Sequence, residues 1–250
     1  MKRLILHILA PVAMLVMLAV CGKDGDGPLV VQGGGEIAKR DFNHFEFIGM
    51  GFTGISAGGM FDVNFSHSDT YSVRIVTFEN LFENIHVGID HRDVLIVSAS
   101  GGVSFDDTPP RLYIEAPFLE FVNLYGAATA SGWDDIKACT FELFLNGTAS
   151  VDLALAVDGR LYVNMSWATS ATLYGKADVM ELIAAGTAGF YGHGLEVRNA
   201  IVSLSGSTRA YVYASDYLVV NSSGSSRVYY RGMPHLEQNA IDAARVSRMY

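Results

Sequence analysis

From Leu124 onward the chain repeats itself, and the repeat unit is too short to fold alone. An alternating apolar run leads into a turn rich in Gly, Ser, Thr and Ala, and a second alternating run leads out. The turns read Leu124-Tyr-Gly-Ala-Ala-Thr-Ala130, Leu145-Asn-Gly-Thr-Ala-Ser-Val151, Met165-Ser-Trp-Ala-Thr-Ser-Ala171, Ala184-Ala-Gly-Thr-Ala-Gly-Phe190, Leu204-Ser-Gly-Ser-Thr-Arg-Ala210 and Ser222-Ser-Gly-Ser-Ser-Arg-Val228. Their third positions are Gly126, Gly147, Trp167, Gly186, Gly206 and Gly224, in steps of 21, 20, 19, 20 and 18 residues. A unit of this length cannot bury its own apolar face and must stack on its neighbours. The runs before each turn, such as Phe141-Leu143-Leu145 and Leu161-Val163-Met165, have the period of half-buried strands. The fold these features predict is all-β: a right-handed parallel β-helix, or β-solenoid, with coils of about 20 residues. Glycine in the third position tolerates positive φ at the corner. Trp167 breaks that rule, so its coil is expected either to shift register or to bulge.

Upstream, residues 36–123 read as strands without the period. A hairpin is expected over Asn64–Val76 around Ser68-Asp69. Val94–Val97 and Leu112–Ala116 are further strands, Phe78–Asn84 suits one helical turn, and Asp106–Pro110 is a surface loop. With 26 Gly and only 6 Pro in the whole chain, and no linker in this stretch, residues 36–250 are expected to form one head domain. Its parts are an irregular N-terminal β cap (36–123), regular coils (124–232) and a C-terminal cap (233–250). The last contains a helix-prone segment, Ile241–Arg245.

The N-terminus has a different logic. Lys2 and Arg3 precede an apolar run from Leu4 to Val20, then Cys21-Gly22 and a polar stretch. That layout marks residues 1–20 as a secretion signal. Leu18-Ala-Val-Cys21 resembles a lipobox, although such motifs prefer a smaller residue than Val20. Acylation at Cys21 would supply several chains, enough for stable anchoring, with 21–35 as a flexible tether. Cleavage by the ordinary signal peptidase is the alternative. Loss of Lys2 and Arg3 takes the formal charge of −9 to −11. Nucleic acid and anionic lipid are therefore poor partners, since both need clustered Lys and Arg. Cys139, beside apolar residues, reads as a small buried hydrophobe.

Phe42–Ile48, Ile55-Ser-Ala-Gly-Gly-Met-Phe-Asp-Val63, Val73–Leu81, Leu112-Tyr-Ile-Glu-Ala-Pro117, Leu204-Ser-Gly-Ser207 and Val228-Tyr-Tyr-Arg-Gly232 occur in a familiar order. Over roughly residues 30–250 the chain resembles the head domain of the auto-transporter adhesins, common as lipoproteins in Bacteroidetes. It departs from that family in lacking the acidic Ser-Gly-Asp turn and in its helix-prone tail. The resemblance implies a β-solenoid at the outer membrane or cell surface, or in the periplasm or secreted. It would have a binding, adhesive or scaffolding role toward a glycan or surface protein, touch the membrane only through a lipid anchor, and be able to self-associate.

No catalytic constellation accompanies this. Asp106/Asp107 and Asp134/Asp135 are sequence neighbours, which point to opposite faces of a strand or sit solvated in a loop. Asp62, Asp134, Asp152, Asp158 and Asp178 share no column. His86 and His91 lack a diagnostic metal spacing, and there is no nucleophile elbow, P-loop or dinucleotide fingerprint. No cofactor is implied. A polysaccharide-acting enzyme on a solenoid scaffold is the alternative function, and it would need two converging carboxylates.

Counting from the glycine slot exposes one face. Offset +4 (Ala130, Val151, Ala171, Phe190, Ala210, Val228) is small or apolar and points inward. Offset +5 ends in Tyr191, Tyr211 and Tyr229; offset +7 includes Trp133, Tyr174, His193, Tyr213 and Arg231. Stacked coils about 4.8 Å apart would make two adjacent ladders. Trp133, Tyr174, Tyr191, Tyr211, Tyr213 and Tyr229 are the candidate contact face, for glycan rings or another subunit. The other reading is a stack whose only role is to support itself.

Overall fold

The computed structural model describes residues 31–42, 51–101, 103–105, 108–132 and 135–249. The expected leader, Cys21, most of the tether, Asp106, Asp107, Trp133 and Asp134 lie outside the described residues. What is described is nearly all β, and it winds into a β-solenoid of about six turns.

Nine strands precede the regular coils: β1 (Val31–Gln32), β2 (Ile37–Asp41), β3 (Gly54–Gly59), β4 (Asp62–His67), β5 (Ser72–Phe78), β6 (Ile85–Ile89), β7 (Val94–Ala99), β8 (Val103–Ser104) and β9 (Arg111–Ala116). One short 3-10 turn, Glu79–Asn84, lies where a helical turn was expected. β3 and β4 make a coil, with a corner at Gly59. The next coil in sequence, β7 with β9, stacks on its outer side, through β3–β7 and β4–β9 parallel pairs. Antiparallel strands then close this end: β6 on β7, β5 on β9 and β2 on β5. The expected hairpin over Asn64–Val76 is therefore not a paired one. The chain does reverse after His67, but β9 lies between the two arms, pairing parallel to β4 and antiparallel to β5. A strand 35 or more residues further on supplies the hydrogen bonds that a local pairing would have made.

The regular part follows as β10 (Phe121–Gly126), β11 (Thr129–Gly132), β12 (Ile136–Leu145), β13 (Ser150–Met165), β14 (Ser170–Ala184), β15 (Gly189–Leu204), β16 (Arg209–Ser222), β17 (Arg227–Arg231), β18 (His235–Ala240) and β19 (Arg245–Arg248). All of these pair in parallel, coil on coil. The tail does not form a helix: residues 241–244 make one more corner, and β18 and β19 add a further rung. Helix propensity here loses to the edge of β16 and β17, which offers a complete row of partners.

Alternation does what a half-buried strand requires. Leu143, Leu145, Val163, Met165, Leu182, Val202, Leu204 and Val220 are buried on one side of the coil; Val151, Ala171, Phe190, Ala210 and Val228 are buried on the other. Together they form one continuous core. A large residue such as Phe190 is tolerated because its neighbours in the column, Ala171 and Ala210, are small.

The corners are in strict register. The slot column runs Gly59, Gly126, Gly147, Trp167, Gly186, Gly206, Gly224, and all have φ between 66° and 104°. The amide of the residue after each slot donates to the slot carbonyl one coil earlier. Examples are Thr148 to Gly126 (2.7 Å), Thr187 to Trp167 (2.8 Å) and Ser225 to Gly206 (2.7 Å). Trp167 neither shifts nor bulges its coil. It adopts the left-handed conformation itself, at φ 66°, and its indole leaves the corner 67% exposed. Asp242, at φ 60°, is a further slot residue, since Ala243 donates to the Gly224 carbonyl. Cys139 is exposed, contrary to expectation. It sits where β12 slips register against β13, between Ala138 and Thr140, and the slip turns it outward at the far bend.

Candidate binding face

The outward side of the strands after the corner carries the aromatic residues the sequence singled out. Offset +5 forms a true ladder. Tyr191, Tyr211 and Tyr229 are successive partners in register. Their rings stack, with centroids 5.6 Å apart and planes 15° apart for the first pair, and 5.0 Å and 16° for the second. Each ring is half-buried by its neighbours, and His193 meets Tyr211 edge-on at 6.5 Å.

Offset +7 does not form a second ladder. The register slips between Thr172 and Tyr174, and again between Gly192 and Glu196. Tyr174 therefore pairs with Gly194, and its ring lies where a Cβ on that glycine would be. His193 falls in the slip without a rung partner. Tyr213 pairs with Glu196 on one side and Arg231 on the other, and the Arg231 guanidinium lies 4.2 Å from the Tyr213 ring centroid. The face is thus one stacked column with Tyr213 beside it, while Tyr174 stands apart at 41% exposure.

Two features of the surface escaped the sequence reading. Arg209, Arg227 and Arg245 are consecutive rungs of the column beside the tyrosines, all exposed. The first two stand at offset +3, in the turns already quoted. The third needed Asp242 to be recognised as a slot residue. On the opposite side, before the corner, Phe121, Phe144 and Tyr162 make a diagonal cluster with centroids 5.6 and 5.5 Å apart. That diagonal crosses two offsets and so shows in neither column read singly. Further along the same side lies a shallow groove of about 300 Å³, floored by Ile183, Ser203, Asn221 and Asn239.

The carboxylates at the far bend serve ion pairs between rungs: Asp178 with Arg198 at 2.6 Å, Asp158 with Lys176 at 3.9 Å, and Glu181 with Arg160. His86 bonds Ser100 at 2.8 Å, while His91 sits in the turn between β6 and β7. Among the described residues no three of His, Cys, Asp and Glu come close enough to hold a metal ion. No helix among them is long and apolar enough to cross a membrane.

The solenoid, its corner column and its exposed aromatic face define a repeat-built head domain. The model of the family described as "Putative auto-transporter adhesin, head GIN domain" matches residues 51–234, and the chain belongs to that family. Solved structures agree on the fold. A "putative adhesin" from Bacteroides fragilis superposes with a TM-score of 0.77 at 17% identity, covering 88% of this chain and 100% of that one. A "putative lipid binding protein" from Parabacteroides distasonis gives 0.68 at 15% identity (88% and 99%). A "putative adhesin" from Parabacteroides merdae gives 0.61 at 20% identity, with the same coverage. No protein among those with curated functions matches the chain. Membership in an adhesin-head family supports a non-enzymatic, surface-binding role.

Proposed function

We propose that the chain is an exported, lipid-anchored head domain that binds its target through the outer side of the coils after the corner. Residues 1–20 would be the leader, Cys21 the acylation site, 21–35 the tether and 36–250 the head. The observation that carries the binding reading is the stack of Tyr191, Tyr211 and Tyr229 on an outward sheet face, each ring half-buried rather than enclosed. Partly exposed tyrosine rings are suited to the apolar faces and hydroxyls of sugars or to a protein partner. The test is a glycan-array screen of the purified chain with a mass measurement of the same sample. It is repeated with Tyr191, Tyr211 and Tyr229 changed to Ser. Binding or self-association that the triple variant loses supports the face. Unchanged glycan binding and unchanged oligomer mass rule it out. The anchor is tested separately by palmitate labelling in cells, which Cys21→Ala should abolish.

A further inference from the structure

The arginine column beside the tyrosines has no internal use. Arg209, Arg227 and Arg245 are direct partners on three successive rungs, about 4.8 Å apart. Like charges directly opposite one another repel and weaken a sheet. The chain has acid to spare, with 26 Asp and Glu against 17 Lys and Arg. Elsewhere on the coils it uses that acid to pair arginines across rungs, Arg160 with Glu181 and Arg198 with Asp178. Among the described residues no ion pair involves Arg209, Arg227 or Arg245. The same column further from the C-terminus is neutral, with Ser150, Ser170 and Gly189. Beyond Ser150 the column continues through Thr129 to Asp62 and Arg111, so among the described rungs the uninterrupted positive run is Arg209, Arg227 and Arg245, which overlaps the tyrosine stack on two rungs.

We infer that this surface binds a linear acidic polysaccharide, a polymer bearing uronate or sulfate groups, laid along the solenoid axis. The inference rests on the tyrosine face being the contact face. Two rungs, Arg209 with Tyr211 and Arg227 with Tyr229, offer a guanidinium and, one outward position along the strand, a tyrosine ring; Arg245 extends the charge beside Ser247, and Tyr191 extends the rings beside Gly189. Guanidinium presents a planar fork of donors that matches carboxylate and sulfate. The outward edges of the stacked rings provide apolar contact for the sugars beside the charges. Arg231, over Tyr213, adds a cation on the other side of the rings. The column advances by about one sugar length per rung, so charge can meet charge repeatedly along the polymer. The chain's net charge of −9 disfavours polyanions on the surface as a whole, which makes a run of arginines the favoured place for one. A polynucleotide would need a broader basic footprint than one column.

The test uses the full chain and four probes: polygalacturonate for uronate, dextran sulfate for sulfate, neutral dextran, and a single-stranded DNA oligonucleotide of matched charge. The column variant carries Arg209→Gln, Arg227→Gln and Arg245→Gln together. Polygalacturonate or dextran sulfate should bind in a salt-sensitive way. The column variant should weaken that binding at least about tenfold, as expected for the loss of three charge-assisted contacts, with Tm unchanged or raised by relief of repulsion. Equal binding of wild type and variant overturns the inference, as does tighter binding of DNA than of either acidic glycan. A lowered Tm in the variant also overturns it, since the arginines would then be structural. If only neutral glycans bind, and the Tyr→Ser variant alone loses them, the tyrosine face stands and the acidic ligand falls. If neither variant changes any binding or mass, both readings fall together.

Discussion

Each coil turns twice, and the two turns obey different rules. At the corner every slot residue has positive φ, every following amide bonds the slot below, and the register never slips. Between the corner and the far bend's end the slips accumulate: between Ala138 and Thr140, between Val157 and Arg160, between Thr172 and Tyr174, between Gly192 and Glu196, and between Val197 and Asn199. The corner sets the phase and the far bend absorbs the drift from 21 residues to 18. Uniformity does not mean intolerance, however. The corner accepts Trp167 and Asp242 in its slot. A Cβ added to Gly206 or Gly224 would come no nearer than 2.7 Å to the carbonyl below. Two far-bend glycines are more confined: a Cβ at Gly175 or Gly232 would lie 2.1 or 2.0 Å from the carbonyl of Leu155 or Ala214, while Gly159, 2.6 Å from the Cys139 carbonyl, matches the corner. The irregular turn holds the stricter glycines.

Substitutions can break this contrast, and the largest effect belongs to the far bend. Gly175→Ala adds left-handed strain of about 1–2 kcal/mol to a backbone clash of roughly 1–3 kcal/mol. Thermal denaturation should show Tm falling by about 10 °C, at some 2–4 °C per kcal/mol for a chain of this size. Gly206→Ala at the corner should cost the same strain, about 1–2 kcal/mol, plus a milder clash with the Gly186 carbonyl at 2.7 Å, and Gly206→Asn less, because Asn tolerates that conformation. A corner variant less stable than the far-bend variant would reverse the comparison. Trp167→Gly should raise stability by at most about 1 kcal/mol, since relief of strain is offset by the chain entropy of glycine. Chemical denaturation can resolve that sign. Smallest of all, one Ser inserted after Asp158 should change stability by under about 1 kcal/mol, because the bend already varies in length there. Cys139, turned out at the same bend, should react with a thiol reagent in the folded protein without prior unfolding.

The difference between the turns also explains what the sequence could reveal. The corner repeats in residue type, so the coil period, the inward column from Ala130 to Val228 and the Tyr191-Tyr211-Tyr229 ladder were all legible from slot counting. The far bend repeats in no residue type. Its slips detach Tyr174 from the ladder and expose Cys139, and an offset count cannot see them. Trp167 and Asp242 hid the column's continuity because backbone conformation, not glycine, is what the corner requires. The N-terminal layer was hard for another reason: the partner of β4 and β5 is β9, distant in sequence, and alternation identifies a strand without naming its neighbour.

The parallel stacking also has a mechanical consequence. The described chain begins at the end closed by antiparallel strands and finishes on the outermost parallel rung, β18 with β19. Tension between those ends runs along the axis and loads inter-coil hydrogen bonds a rung at a time. A coil peeled from the β18–β19 end releases about 20 residues, roughly 60–70 Å of extended chain, and leaves the next coil intact. Such a protein lengthens in discrete steps under force, and a surface attachment made through its last coils would be the first part to give.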